Sequence, residues 1–463
     1  MHRPLLLAAV CAAFLCAPLQ AREVPLPVPP HGVVGIEDRH LDPEFWVQQL
    51  ERADVVLLDR AAIESRNVDL LQRDPTMHDL GALPATLSGE QIRGWITGLS
   101  QRPDNPLFDV EGRAVTDATV DGIMASLALD AIPASQPARF GLVVHRADLR
   151  TFPTSVRVFS RAGETDIDRF QESALFPGDP VAIAHESADG EWLFVVSPRY
   201  AAWIESRHVA AGTRDQVLGY GKRDPYRVVT GGEVQTVFTR EQPAHSELSL
   251  DMGLRLPLAD APLDQPVNGQ HPYTSWILDL PLRNADGSLA FAPALLPKRE
   301  DTAADYLPLT EANLIRQAFK FLGERYGWGH AYNGRDCSGF VSEVYRSMGI
   351  DVPRNTRDQS KSPALQHTLF GDDDAKARAE AVKALQVGDL VYIPGHVMMV
   401  IGHVDGKPYV IHDTNGGSMH GRDGKVRSLK LNAVSVTPLL PLMFNDSDRY
   451  VDRITSIVRL RSR

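Results

Sequence analysis

At 463 residues, the chain is too long for one ordinary core. Domains usually contain about 100–200 residues, so several domains are expected. A composition of 43% apolar and 23% charged residues is that of a globular protein and excludes wholesale disorder or a membrane-embedded bulk. The formal net charge of -11 is modest and no long block of Lys and Arg occurs. Both features argue against nucleic acid or anionic lipid as the main partner.

Residues 1–21 have the pattern of a secretory signal peptide. A short basic start at His2 and Arg3 precedes an apolar stretch and a small residue, Ala21. The alternative is a membrane anchor, but the apolar stretch of about 15 residues falls short of the ~20 that a spanning helix needs. We therefore predict cleavage near Ala21 and an exported protein, periplasmic or secreted, that does not span the membrane.

Cleavage of this segment would change the number of cysteines. Cys11 and Cys16 lie within it, so Cys337 would be the only cysteine of the mature chain and no internal disulfide could form. An unpaired thiol in an exported protein is exposed to oxidation, so it is either buried and inert or retained for its reactivity. The sequence around Cys337 decides between these alternatives.

The mature chain divides into four regions by its local patterns. Residues 22–135 contain helix-like apolar clusters and are expected to form a mostly helical, stabilising domain. Residues 136–213 and 214–296 each contain short β-type runs separated by turn residues, a spacing that favours two small β-barrels. After a linker, residues 305–463 regain helical periodicity.

Cys337 is predicted to lie in the first turn of a helix. Thr310 can cap a preceding helix through EANLIRQAFKFLGERY, which leads into the glycine-rich loop of YGWGHAYNGRDCSGF. Asp336 is a suitable N-cap for the helix CSGFVSEVYRSMG. The free backbone N–H groups and partial positive charge of a helix N-terminus favour thiolate over thiol, and the thiolate is the nucleophile. We therefore interpret Cys337 as a nucleophile rather than an inert core residue.

A thiolate nucleophile needs a base, and histidines on rigid elements are the best candidates. His396 opens the predicted strand HVMMVIG, and His412 lies on the next strand, YVIHD, after a turn at residues 405–406. A strict two-residue turn would place Asn415 opposite His396 and His412 on the other face of the sheet. A three-residue turn with a bulge would return His412 to the face of His396. Pairing rules alone leave the third member open.

Four motifs, YGWG, RDCSGF, PGHVMMVIG and VIHD, follow one another in the order typical of the NlpC/p60 cysteine peptidases, and residues 305–463 resemble that family. The resemblance implies a multidomain chain with a C-terminal papain-like α+β domain that acts by acyl transfer. It also implies a catalytic triad of Cys337, His396 and His412. The substrate-binding positions that it implies in this domain are Tyr326, Trp328, Asp336 and Ser338.

The upstream regions resemble the helper domains of one subgroup of this family, a helical segment followed by two bacterial SH3-like barrels. In that subgroup the first barrel closes one end of the cleft and restricts cleavage to stem peptides with a free N-terminal L-Ala. The bond cut joins γ-D-Glu to an L-diamino acid, diaminopimelate or Lys, of peptidoglycan. Glu172 and Tyr200 are the candidates for binding the free amine, although a solvated Glu and a core aromatic are commoner roles.

One residue departs from the family pattern. His330 stands where the family usually has a second glycine after GWG, and an exposed loop histidine is favoured over a substrate contact. His396, His403, His412 and His420 lack a tight ligand spacing, and zinc would quench the thiolate. No metal or other cofactor is therefore predicted.

The implied partners are peptidoglycan stem peptides or muropeptide fragments, and the protein is expected to be a monomer. Two other functions stay open at this point. One is a wall-binding protein without activity, and the other is an amidase or acyltransferase that acts on other amides.

Overall fold

The structure, a computed structural model, describes residues 28–461. The predicted signal peptide lies outside the described residues. Between residues 28 and 461, no helix has both the length and the apolar character needed to cross a membrane. The described chain forms helices near its N-terminus, a seven-stranded sheet, a group of small sheets and a C-terminal domain built on a six-stranded sheet.

Between residues 28 and 135 the chain forms four α-helices. They are α1 (Pro43–Val47), α2 (Arg60–Arg73), α3 (Gly89–Leu99) and α4 (Asp117–Ser126). Asp59, Ser88 and Thr116 cap α2, α3 and α4 by accepting hydrogen bonds from backbone N–H groups that otherwise lack partners at a helix start. The strands β1 (Thr86–Ser88) and β2 (Ser135–Pro137) pair beside them.

These four helices do not share one core. Trp46 of α1 and Ile63 of α2 pack within the core of the C-terminal domain. Ile92 of α3 and Ile123 of α4 pack against the seven-stranded sheet instead. The N-terminal segment therefore contacts both halves of the chain.

The next region is a seven-stranded antiparallel sheet with the strand order β5-β4-β8-β7-β6-β3-β9. Its strands are β3 (Arg139–Val143), β4 (Ala147–Arg150), β5 (Gln171–Leu175), β6 (Pro180–Glu186), β7 (Trp192–Val196), β8 (Ala201–Glu205) and β9 (Val209–Gly212). Both faces are covered. Along β7, Phe194 packs with the N-terminal helices, whereas Val195 belongs to a second core on the other face.

The region predicted to be a second barrel forms three small sheets around one core. Its elements are α5 (Arg214–Tyr220), β10 (Tyr226–Val229), β11 (Glu233–Gln235), β12 (Ser249–Asp251), β13 (Arg255–Pro257), β14 (Ser275–Arg283), β15 (Leu289–Pro297) and β16 (Thr302–Ala303). The strands pair as β13-β10-β16, β11-β12 and β14-β15. Leu250, Leu256, Leu278 and Leu296 are buried between these sheets and hold them together.

The C-terminal domain places helices against a six-stranded sheet of order β17-β24-β18-β19-β20-β23. Its helices are α6 (Glu311–Phe319), α7 (Cys337–Arg346), α8 (Thr356–Lys361) and α9 (Ala375–Lys383). Its strands are β17 (His367–Leu369), β18 (Leu390–Ile393), β19 (His396–Val404), β20 (Lys407–Thr414), β21 (Gly417–His420), β22 (Val426–Leu429), β23 (Ala433–Pro438) and β24 (Ser456–Val458). Helix α7 packs on β19 and β20.

Helix α6 is shorter than the sequence pattern predicted. Thr310 caps it as expected, by accepting a hydrogen bond from the backbone N–H of Asn313. The helix ends at Phe319 instead of continuing to Tyr326, and Gly323 follows with a φ of 84°. A left-handed glycine turns the chain away from the helix axis, and this turn leads into the loop before α7.

Candidate active site

Cys337 occupies the first turn of α7. The side chain of Asp336 caps this helix by accepting a hydrogen bond from the backbone N–H of Gly339 at 2.7 Å. Burial, followed by the charge of Asp336, raises the pKa of Cys337 to about 12, and a hydrogen bond from the backbone N–H of Val397 only partly offsets this. Burial therefore opposes the thiolate that the helix start is expected to favour.

His396 and His412 form a hydrogen-bonded pair. Nε2 of His396 lies 2.7 Å from Nδ1 of His412, and Nε2 of His412 lies 3.0 Å from Oγ1 of Thr437. Burial lowers the pKa of His396 to about 4 and that of His412 well below its usual value. Both imidazoles are therefore neutral at pH 7, and each is oriented by its neighbour.

The two histidines share one face of the sheet because of a β-bulge. The loop between β19 and β20 is a two-residue turn at 405–406, but the register shifts between Val400 and Gly402. The bulge adds one residue to β19, so every residue of β19 before the bulge changes face relative to its partners on β20. His396 and His412 therefore lie on the same face of the sheet. The bulge lies within the strand rather than in the turn, contrary to both registers considered from sequence.

Asn415 is not the partner of His396. An unbroken two-residue hairpin favours it as the third member, but its side-chain amide donates to Oδ1 of Asn432 at 3.1 Å.

Helix α1 packs close to the bulge. A Cβ added at Gly402, next to the bulge, would lie 2.8 Å from Cε3 of Trp46. Helix α1 therefore packs directly on the bulge, a contact that the local sequence of the hairpin does not reveal.

Asp336 and Ser338 are buried and bonded to Arg354. Nη2 of Arg354 lies 2.8 Å from Oδ2 of Asp336, and Nη1 donates to Oγ of Ser338 at 2.9 Å. Burial acts to raise the pKa of Asp336, but the charge of Arg354 and its hydrogen bonds lower it to about 2. Nε of Arg354 donates to Oγ of Ser173 on β5 at 2.6 Å. This arginine therefore fixes the start of α7 against the seven-stranded sheet.

His330 is buried, not an exposed loop residue as favoured from sequence. Only 2% of it is exposed, and its Nδ1 accepts a hydrogen bond from Nη2 of Arg354 at 2.9 Å. Its Nε2 lies 3.1 Å from Oε1 of Glu343. A Cβ added at Gly339 would lie 2.4 Å from Cε1 of His330, so the glycine of CSGF makes room for the imidazole. Burial, with a further contribution from the charge of Arg354, lowers the pKa of His330 to about 4.

Two cavities are lined by predicted site residues. The first, of about 810 Å³, is a groove lined by His396, Tyr326, Asn415 and Arg169, among others. The second, of about 670 Å³, contains Glu172. Tyr326 is itself buried, which raises its pKa well above the usual value. Among residues 28–461, no group of three or more His, Cys, Asp or Glu side chains is arranged to hold a metal ion.

Glu172 and Tyr200, the two predicted ligands of the free amine, are bonded to each other. The hydroxyl of Tyr200 donates to Oε2 of Glu172, and the hydroxyl of Thr151 donates to Oε1 at 2.6 Å. Both residues are half-buried. Trp328 lies nearby and donates from Nε1 to the carbonyl of Gln171 at 3.1 Å. The structure thus presents one acidic, partly accessible carboxylate beside the loop that precedes Cys337.

Asp413 is a buried carboxyl that sequence reasoning missed. It follows His412 on β20, is fully buried, and neither of its oxygens has a hydrogen-bond partner of ordinary geometry among the described residues. Burial, then the charges of Glu324 and Asp336, raises the pKa of Asp413 to about 9, and the backbone N–H of Thr414 offsets this only slightly. An Asp on an apolar strand is the available sequence signal.

We expect Asp413→Asn to change how stability depends on pH. A carboxyl with a raised folded-state pKa stays protonated while the unfolded chain ionises, so stability is lost as pH rises from about 4 to about 9. Between pH 6 and pH 8 this loss amounts to about 2.7 kcal/mol. Asparagine does not titrate, so the variant should not show this loss. Urea unfolding at the two pH values measures the difference. If the two proteins differ in free energy of unfolding by the same amount at pH 6 and at pH 8, the pKa of Asp413 is not raised.

Comparison with known proteins agrees with this arrangement. The model of the NlpC/P60 family matches residues 323–434, and that of an SH3 domain of the SH3b1 type matches residues 157–205. The chain is 26% identical over 262 residues to a gamma-D-glutamyl-L-lysine dipeptidyl-peptidase of Bacillus cereus, covering 52% of this chain and 72% of that protein. It is 27% identical over 107 residues to dipeptidyl-peptidase 6 of Lysinibacillus sphaericus, covering 23% of this chain and 33% of that protein.

A solved structure shares most of the fold. It is described as a novel NlpC/P60 endopeptidase from Photobacterium damselae subsp. piscicida, with a TM-score of 0.72, 16% identity, and coverage of 91% of this chain and 97% of that one. The predicted NlpC/P60 domain and one SH3 domain are confirmed. The chain thus contains an NlpC/P60 domain whose matched residues include Cys337, His396 and His412, and an SH3b domain whose matched residues include Glu172 and Tyr200.

Proposed function

We propose that this protein is an exported cysteine peptidase that cuts the bond between γ-D-Glu and an L-diamino acid in peptidoglycan stem peptides with a free N-terminal L-Ala. One observation carries this proposal. The helix that begins with Cys337 packs against the strand that begins with His396, and His396 is hydrogen-bonded to His412. The carboxylate of Glu172, from the SH3b domain, lies beside the loop that precedes Cys337. The names of the relatives from Bacillus cereus and Lysinibacillus sphaericus support it.

In the proposed reaction, His396 acts as the base. It removes the proton of Cys337, and the sulfur attacks the γ-carbonyl carbon of the glutamate to give a tetrahedral oxyanion. The protonated imidazole returns the proton to the leaving amine, and the C–N bond breaks. A water molecule, deprotonated by His396, then hydrolyses the thioester. His412 orients His396, and the backbone N–H of Cys337 is one donor to the oxyanion.

The resting site suits such general-base chemistry. A thiol with a raised pKa and an imidazole with a lowered one are both neutral before substrate binds. The proton therefore moves during attack rather than beforehand, and the free cysteine is protected from oxidation until then. An enzyme exported after cleavage near Ala21 needs this protection, because oxidants reach it outside the cytoplasm.

The proposed amine site gives the specificity. The carboxylate of Glu172, already bonded to Tyr200 and Thr151, would bind the ammonium group of L-Ala as a charge-assisted hydrogen-bond acceptor. An acylated or sugar-linked N-terminus carries no charge and is larger. We also propose that residues 214–296 form a second SH3-like module and that the protein acts as a monomer.

Mass spectrometry of reaction products tests this function. Purified mature protein is incubated with L-Ala-γ-D-Glu-diaminopimelate and with the same peptide acetylated at its N-terminus, and Cys337→Ala serves as the control. We expect release of L-Ala-γ-D-Glu from the free peptide only, and only by wild type. Retention on wall material without release would favour a binding protein instead. Cleavage of a different amide would favour an amidase or acyltransferase.

A further inference from the structure

Arg169 stands where the two cavities meet. It lies at the end of the segment between β4 and β5, and it lines both the groove of His396 and the cavity of Glu172. Ser160 of the same segment is also shared by the two cavities. A ligand that extends from Glu172 to His396 would therefore pass this side chain.

The guanidinium of Arg169 is free to bind an anion. The residue is exposed, and no carboxylate or hydrogen-bond partner of its side chain occurs among residues 28–461. By contrast, Lys430 in the same groove is bound to Asp166 at 2.7 Å. The guanidinium of Arg169 stacks over the ring of Trp328, with 5.6 Å between its central carbon and the ring centroid. Stacking restricts the orientation of the guanidinium but leaves its N–H edge available.

The proposed substrate carries an anion at the corresponding place. Because its glutamate is linked through the γ-carboxyl group, the α-carboxylate remains free between the N-terminal ammonium and the bond that is cut. With the ammonium at Glu172 and the scissile carbonyl at Cys337, that carboxylate lies in the middle of the ligand. A guanidinium offers two parallel N–H donors that match a carboxylate.

We propose that Arg169 binds the free α-carboxylate of the γ-linked glutamate and so selects stems with an unmodified D-Glu. This inference rests on the proposed function and adds a specificity residue to it. The SH3b domain would then supply both charged groups that recognise the first two residues of the stem.

The test compares two substrates and three variants. The substrates are L-Ala-γ-D-Glu-diaminopimelate and its α-carboxamide analogue, which differs only in lacking the charge. For the acid, Arg169→Gln should lower kcat/KM by about 10- to 100-fold, the loss expected when one hydrogen-bonded charge pair is removed. For the amide, the same variant should stay within about threefold of wild type. Arg169→Lys, which keeps the charge but not the paired donors, should fall between.

Arg161→Gln is the matched control, because Arg161 is an exposed arginine of the same segment that lines neither cavity and pairs with Glu164. This variant should have the wild-type kcat/KM for both substrates. Equal losses on acid and amide, or no loss on either, would overturn the role of Arg169 while leaving the peptidase function intact. Failure of wild type to cut either peptide would instead refute the proposed function.

Discussion

Replacing Cys337 by serine should lower kcat for the free tripeptide by about 10⁴-fold or more, the size of effect seen when a nucleophile is removed from a catalytic unit. The substitution is nearly isosteric at a site that is only 5% exposed, so folding and KM should change little. The serine hydroxyl, however, holds its proton more tightly than the thiol does. In the serine variant His396 therefore has to remove a less acidic proton, which slows the attack on the carbonyl. Initial rates with purified protein measure the effect.

The double variant Cys337→Ser/His396→Ala provides the control. If the two residues act as one unit, the double variant should be no slower than the single serine variant, because the same step is already lost. If the rate losses of the two substitutions instead multiply in the double variant, His396 acts in a different step from Cys337. A serine variant with a near-wild-type rate would remove Cys337 from the mechanism altogether.

Local signals in the sequence were sufficient to predict the start of α7. An N-cap residue, Asp336, stands directly before Cys337, and the glycine-rich loop before it prevents an earlier start. The strand that begins at His396 and the turn at 405–406 follow in the same way from breakers and alternation. These features depend on neighbours within a few residues, which a single sequence displays.

The remaining parts of the site depend on distant partners. The bulge that aligns His412 with His396 lies against Trp46, which is far away in the sequence. His330 was expected to be exposed because its loop is rich in glycine, yet Arg354 and Glu343 come from other elements to bond both of its nitrogens. Thr437 reaches His412 only through the pairing of β20 with β23. Spacing rules contain no information about such contacts.

Removing the charge of Arg335 should destabilise the fold by about 3–5 kcal/mol, the usual result of leaving a buried charge without its partner. Arg335, 1% exposed, donates to Glu343 at 2.6 Å, to Glu324 at 2.8 Å and to Asp251 at 2.9 Å. In Arg335→Met the chain keeps a comparable volume but leaves these carboxylates in a low-dielectric interior. Burial acts to raise the pKa of Glu343, and the charge of Arg335 is the main influence that lowers it to about 2. Urea unfolding at pH 7 measures the loss.

The matched control is Arg325→Met. Arg325 and Arg335 both lie in the segment that joins α6 to α7. Arg325 also pairs with a carboxylate, Asp166 at 2.6 Å, but 63% of its side chain is exposed. Water and salt screen such a pair, so its loss should cost less than about 1 kcal/mol. Similar losses for the two variants would mean that burial is not what makes the Arg335 cluster strong. A large loss for Arg335→Met alone would show that its buried cluster, which joins β12 to α7 through Asp251 and Glu343, stabilises the fold.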